Sequence, residues 1–373
     1  METIMKTHPA VFAVGRDYQI MVPVTKPALF YVKVGDKCYY DHSNGIIRSN
    51  VTTHRVCVPM DELNEAGSYT VCIKGIIERK PYFPLIEDVQ EYSYRFRPVK
   101  PGRAVCYHIA DAHNLVETPV KAAKQFEEAH GKLDFLILNG DVPDHSGKIE
   151  NFDNIYRIVS DITGGEIPAI FSRGNHDTRG FFAENIADHT PVDNGRSYFT
   201  FRLGDIWGIV MDTGEDKPDT NPEYNGTVCC HEFRLEETKF LESVIENAAT
   251  EYAAPDVRHR IVIAHNPFTW THNTPFDIEQ ELFTYWAKRL REDVKPEVMI
   301  CGHTHQTLIE YPGGEHDALG HPCPIAIGST PRRPKEGIPA AFAGMGMIFG
   351  EEDQIIFNNT EQGEYFSDFI SLT

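Results

Sequence analysis

No stretch of this sequence stays apolar for the ~20 residues that a membrane-crossing helix needs, so no such helix is expected. Cysteine is sparse and unpatterned. The eight residues Cys38, Cys57, Cys72, Cys106, Cys229, Cys230, Cys301 and Cys323 form no Cys-x-x-Cys pair and no zinc-finger spacing. They read as plain thiols of a reducing compartment; a redox or soft-metal role stays open for the adjacent Cys229 and Cys230. Positive charge is also short: 35 Lys and Arg stand against 55 Asp and Glu, a net charge of −20. Such a surface repels duplex nucleic acid and anionic membranes. It does not exclude an anionic substrate, because bound cations reverse the sign locally. The N-terminus shows no secretory h-region with a small-residue cleavage site, so a cytoplasmic location is expected. Repeats and low-complexity tracts are missing too.

What is present suits a globular protein. Of 373 residues, 41 % are apolar and 24 % charged, enough to build a sizeable core. At roughly 150 residues per domain the length suggests two domains, and the pattern changes near residue 100. Before it lie short β-rich segments, QIMVPV, ALFYVKVG, KCYYDH, RVCVPM, YTVCIKG and EYSYRFRPV, with turn signals HSNG and NEAGS between them. This pattern predicts a small antiparallel β-sandwich, of immunoglobulin or fibronectin type, over residues 1–100. Pro98 to Gly102 reads as a linker. After it, strand and helix alternate over 101–373, an α/β pattern. Thr118 and Pro119 predict a helix start, with Thr118 as N-cap and the helix running to about His130. Helices are also expected near 150–163 and 235–252. SYFTFRLGDIWGIVMDT predicts a hairpin.

Five apolar strands in this second region each end in polar residues. The ends read Asp111-Ala-His113, Gly140-Asp141-Val-Pro-Asp144-His145, Gly174-Asn175-His176-Asp177, His265-Asn-Pro and Gly302-His303-Thr-His305. Strand ends are where α/β folds assemble sites, because the sheet holds them still while the loops stay open. Any one cluster alone has a bland explanation as a turn or a solvated loop. Five in series do not, because burying so many acids and imidazoles without partners costs too much free energy. Metal coordination supplies the partners. Carboxylate oxygens and neutral imidazoles suit Mn, Fe or Zn, and a single carboxylate can join two ions about 3.5–4 Å apart.

These five blocks, in this order over about residues 105–306, resemble the calcineurin-like metallophosphoesterase superfamily. The resemblance implies a four-layer αββα fold for the catalytic region. It implies a dinuclear centre of two divalent or trivalent ions, with Asp111, His113 and His305 on one, Asn175, His265 and His303 on the other, and Asp141 shared. It assigns His176 beside the leaving group as general acid or charge stabiliser, and Asp144 as the residue that orients it. The implied chemistry is direct hydrolysis of a phosphoester by a hydroxide shared between the ions. A β-sandwich ahead of the catalytic region is similar to the layout of purple acid phosphatases. Their Gly-Asp-x-x-Tyr signature is absent, since position 144 is Asp. The Arg and Glu of the protein phosphatase branch are replaced by His145 and Asp177.

A phosphodiesterase is favoured slightly over a phosphomonoesterase or nucleotidase. A non-catalytic metal-binding scaffold is the rival of another class. His145 and Arg179 are candidate phosphate contacts, as are Arg173, Arg332 and Arg333, since guanidinium groups suit phosphate geometry. Asp177 either supports the ligands from behind or caps a helix. Loops 212–232, 272–275 and 310–339 are candidates for shaping specificity. The motifs leave the substrate, the metal identity and the oligomeric state open.

Overall fold

The computed structural model describes residues 3–270 and 273–370; His272, in the loop expected at 272–275, lies outside them. Strands Ala104–Ile109, Phe135–Asn139 and Ala169–Ser172 are buried at every position, as continuous apolar runs covered on both faces should be. They pair in parallel, with Ile109 opposite Leu138 and Asn139 opposite Ser172, so their C-terminal ends lie side by side. In a second sheet His259–Ala264 and Val298–Cys301 also pair in parallel, with Ile263 opposite Ile300. The expected hairpin forms from Phe199–Leu203 and Ile206–Met211, and its second strand lies parallel to His259–Ala264.

Side chains alternate between the two faces of each strand, and this builds the layers. Phe135 and Ile137 point into a core between the sheets, together with Ile206, Ile261 and Ile300. Leu136 and Leu138 point the other way, against Phe126 of helix Glu117–His130 and Ile155 and Val159 of helix Asp153–Thr163. On the second sheet, Ile209 and Val262 meet Leu241 of helix Cys230–Glu246 and Trp286 of helix Gln280–Arg289. The result is the αββα arrangement, a mixed α/β fold with an additional all-β N-terminal region.

That region is built into the catalytic sheet. Ala10–Val14, Asp17–Pro23 and Thr53–Pro59 belong to the same ten-stranded sheet as Ala104–Ile109, with Phe12 opposite Ala169. The other layer is a five-stranded sheet in the order Gln90–Arg95, Ser68–Glu78, Ala28–Val34, Lys37–Tyr40, with Leu85–Ile86 on Ser68–Glu78. Phe30, Val32 and Val71 therefore share one apolar core with Ile137 and Ile261. Residue 100 does not separate two cores. The segment read as a linker is pinned, with Gly102 N–H donating to Asp205 Oδ2 at 2.9 Å and Val99 buried.

Local details differ from expectation for identifiable reasons. NEAGS is not a free turn; it closes helix Met60–Ala66, whose end is sealed by Gly67 N–H donating to Leu63 O. Helix Glu117–His130 starts one residue before Thr118, which lies inside the first turn and caps nothing. Helix Gln280–Arg289 and strand Gly363–Ile370 went unforeseen. Among the described residues, no helix is long and apolar enough to cross a membrane.

Candidate metal centre

The two sheets meet where their strands end. Asn139, fully buried, donates from Nδ2 to Ile300 O at 3.1 Å and so ties the first sheet to the second. The loops leaving the strands are tied likewise, Asp111 N–H to Gly140 O at 3.1 Å, His113 N–H to Asp141 O at 2.9 Å and Gly302 N–H to His265 O at 2.9 Å. Turning inward so sharply puts Asp111, His113, Asp141, His303 and His305 at positive φ, between 43° and 68°. Side chains other than glycine rarely adopt such backbone, and strain of this kind concentrates at functional sites. Gly174 is needed for closeness: a Cβ there would lie 2.2 Å from Asp141 Oδ1 and 2.6 Å from Asp141 N.

All seven expected ligands converge. Asp111, His113 and His305 form one group whose donor atoms lie within 4.8 Å of one another, and Asp141, His265 and His303 form another. His113 Nε2 and His305 Nε2 are 3.0 Å apart. His265 Nε2 lies 3.2 Å from Asp141 Oδ2 and 3.7 Å from Asp111 Oδ1, linking the two groups. Asn175 Oδ1 faces His303 Nδ1 at 3.0 Å.

Three observations test whether these residues fit a cation. His265 Nδ1 donates to Asn139 O at 2.6 Å, which fixes the ring and leaves Nε2 buried without a hydrogen bond and facing two carboxylates, a position that a proton or a cation fills. The Asn175 amide lies 3.0 Å from His303 Nδ1 and 3.3 Å from Asp141 Oδ2, with Arg179 Nη2 3.0 Å from its other end, so it stands within the donor cluster in either amide orientation. The donor set, imidazole nitrogen with carboxylate and amide oxygen, matches borderline and hard ions. The site fits a metal.

Charge tells the same story. Burial opposes ionisation of His265, but the Asp141 and Asp111 carboxylates outweigh it and hold its pKa up at about 10, so in their field Nε2 calls for a proton or an ion. Burial would raise Asp141, yet the surrounding His265, His176 and His113 hold it well below the usual carboxylate range. Burial, seconded by His265, lowers His303 to about 4 and keeps it neutral, the form that binds metal. Asp177 sits behind the ligands and is pushed up to about 7, by burial first and Asp141 second. Its Oδ2 accepts from Gly174 N–H at 2.7 Å and Asp141 N–H at 3.2 Å, so it braces both loops rather than capping a helix.

His176 lies beside the ligands, its ring centroid 4.8 Å from that of His113. Its Nδ1 donates to the main-chain carbonyl of Asp144 at 2.9 Å, and Nε2 is 4.0 Å from Asp141 Oδ2. Asp144 thus holds His176, as expected, though not with its side chain. Its backbone, not its carboxylate, holds His176, because the loop turns the carboxylate outward to Arg333 and to His113 Nδ1 at 3.3 Å. The two expected phosphate contacts are engaged with neighbouring protein groups. His145 is exposed and its Nδ1 accepts from Gly147 N–H of its own loop. Arg179 is clamped by Glu215 at 2.8 Å, Glu223 at 3.2 Å and Asp216 at 3.4 Å. Arg173 pairs with Asp212 and Arg332 with Glu361. Unforeseen members of the site are Asn139, Asn114, whose Oδ1 accepts from Asp144 N–H, and Asp216, 3.8 Å from His303 Nε2. Only Asp216 left a trace in the sequence, as part of the acidic 212–232 loop.

Residues 105–307, more than half of the chain, match the family model of calcineurin-like phosphoesterases. The chain belongs to this family. It is accordingly a metallophosphoesterase, a hydrolase of phosphoester bonds. No curated protein matches its sequence. Among solved structures it is similar to the purple acid phosphatase PPD1 from yellow lupin (Lupinus luteus) seeds, with a TM-score of 0.61 at 12 % identity over 99 % of this chain and 75 % of that one. It is also similar to PhoD, with a TM-score of 0.56 at 11 % identity over 100 % of this chain and 93 % of that one. At such identities the likeness concerns the fold.

Proposed function

We propose that this metallophosphoesterase hydrolyses phosphodiesters at a centre of two metal ions. The observation that carries the reading is the junction at His265, where one imidazole nitrogen faces both Asp111 and Asp141 and so joins two donor groups into one site. In this reading Asp111, His113 and His305 hold one cation, Asn175, His265 and His303 the other, and Asp141 serves both. Mn, Fe and Zn all suit such donors. When bound, these cations supply Lewis acidity, polarising a phosphoryl oxygen and acidifying water.

The chain's own residues do the rest. Burial keeps His303 neutral, and His265, oriented by its hydrogen bond to Asn139 O, gives up its Nε2 proton where a cation takes that place. Asp177 holds the loops of Asp141 and Asn175 together. His176, fixed through Nδ1, points Nε2 toward the site and passes its proton from that atom to the departing oxygen. Preference for a diester rests on charge. Arg173, Arg179 and Arg333 are each paired with a carboxylate, which leaves less positive charge for the dianion of a monoester than for the monoanion of a diester. The eight free thiols suit a reducing compartment, and we assign the chain to the cytoplasm on that ground.

The test is turnover of bis(p-nitrophenyl) phosphate and p-nitrophenyl phosphate by Mn-, Fe- and Zn-loaded protein, with metal content measured before and after chelation. The diester is expected to show the higher kcat/KM, lost on chelation and restored by metal. Preference for the monoester would end the diester assignment. Metal-loaded protein that turns over neither ester would instead indicate a binding scaffold.

A further inference from the structure

A ring nitrogen that binds a metal offers a lone pair, so the proton of a neutral imidazole sits on the other nitrogen and needs an acceptor there. His265 has one, with Asn139 O 2.6 Å from Nδ1. His113 turns Nε2 inward, 3.0 Å from His305 Nε2, which leaves Nδ1 for the outer side. This outer nitrogen is buried and makes no hydrogen bond among the described residues. A buried donor without a partner costs free energy. One carboxylate oxygen stands beside it, Asp144 Oδ1 at 3.3 Å.

We propose that the side chain of Asp144 is a positioning residue for His113: its Oδ1 accepts the Nδ1 proton and so presents Nε2 to the first cation. The inference rests on the metal reading above and divides the work of Asp144 in two, the main-chain carbonyl serving His176 and the carboxylate serving His113. Two further observations support it. The loops that carry the pair are joined at three successive points. His113 N–H donates to Asp141 O at 2.9 Å, Asn114 N–H to Val142 O at 2.9 Å, and Asp144 N–H to Asn114 Oδ1 at 3.2 Å. The carboxylate therefore keeps its place relative to the imidazole, and a small turn of the ring makes the contact a hydrogen bond. On the far side the same Oδ1 accepts from Arg333 Nη2, an ion pair that fixes the direction of the carboxylate. Through Asp144 the 310–339 loop thus reaches the metal site.

The test is zinc titration of the apoprotein against a competing chelator dye, joined to imidazole nitrogen NMR of the zinc-loaded protein with isotope-labelled histidine. The His113 signals are identified by their loss in His113→Gln. Asp144→Ala should weaken one zinc by roughly 10- to 100-fold. Asp144→Asn, whose amide oxygen can accept the same proton, should recover part of that loss. Arg333→Ala, at a side chain 57 % exposed and so harmless to the core, should weaken zinc by roughly two- to fivefold. In the parent, the His113 proton should be found on Nδ1. The parent spectrum and Arg333→Ala decide the matter even where Asp144→Ala does not fold. A proton on Nε2, or an Asp144→Ala protein that binds both zinc ions as tightly as the parent, overturns the assignment and leaves the hydrolase reading standing. A parent apoprotein that takes up no zinc, manganese or iron overturns the metal reading and this assignment with it.

Discussion

Gly174→Ala isolates what close approach contributes to the metal centre. Gly174 has no positive φ, so alanine is allowed by the backbone and the perturbation is one methyl group. That methyl would lie 2.2 Å from Asp141 Oδ1, 2.6 Å from Asp141 N and 3.0 Å from Asp141 Cγ. Rotating the Asp141 side chain relieves the first contact but not the second, so the 141 and 174 loops must separate. Forcing an extra methyl into a packed site costs about 1–3 kcal/mol. If that strain falls on the ion-binding arrangement, affinity for metal drops by roughly 5- to 150-fold. Metal titration of the apoprotein reads this directly, and thermal unfolding with and without metal separates it from general destabilisation. Gly350→Ala is the control, since its nearest neighbour would be 3.9 Å away, and it should change neither quantity. A Gly174→Ala protein that binds metal within twofold of the parent would refute the argument that loop contact sets the position of Asp141.

Other outcomes follow from the same structure. His176→Ala should retain its metals and slow hydrolysis by about 10²-fold or more, checked by metal analysis alongside kcat; loss of metal would mean that the imidazole is a ligand. Removing residues 1–100 strips three strands from the ten-stranded sheet and bares the edge of Ala169–Ser172. The remaining fragment should aggregate, whereas a monodisperse, metal-binding 101–373 fragment in gel filtration would show that the catalytic region folds alone. Burial raises the pKa of Glu297 to about 7, far from the metal site. A carboxyl whose folded pKa lies above its unfolded value contributes stability that is present below the unfolded pKa and lost as pH rises through the folded one. The stability of Glu297→Gln relative to the parent should therefore increase between pH 5 and pH 8 in denaturant titrations; a pH-independent difference would contradict the raised pKa.

The site was legible in the sequence because its chemistry is written in local clusters. Each of the five buried strands delivers one short polar group, and residue type alone limits what Asp, His and Asn can do together in a buried place. The β-rich composition before residue 100 was equally visible, since alternation and turn residues are local properties. Misread were the matters of direction and partnership. Asp144 was recognised by position, but whether its carbonyl or its carboxylate meets His176 depends on the turn between Asp141 and Ser146. The pairing of Arg179 with Glu215 and Glu223, more than 35 residues onward, was not readable from the sequence.

From residue types and their order alone came the strands, the polar groups at their ends and the metal chemistry those groups imply. Tertiary structure decided which groups meet, because His265 and Asp141 come from different sheets and come together only where Asn139 ties the sheets to each other. It also decided that the N-terminal strands extend the catalytic sheet, since strand pairing depends on which edge is left open, a property of the folded sheet rather than of any segment.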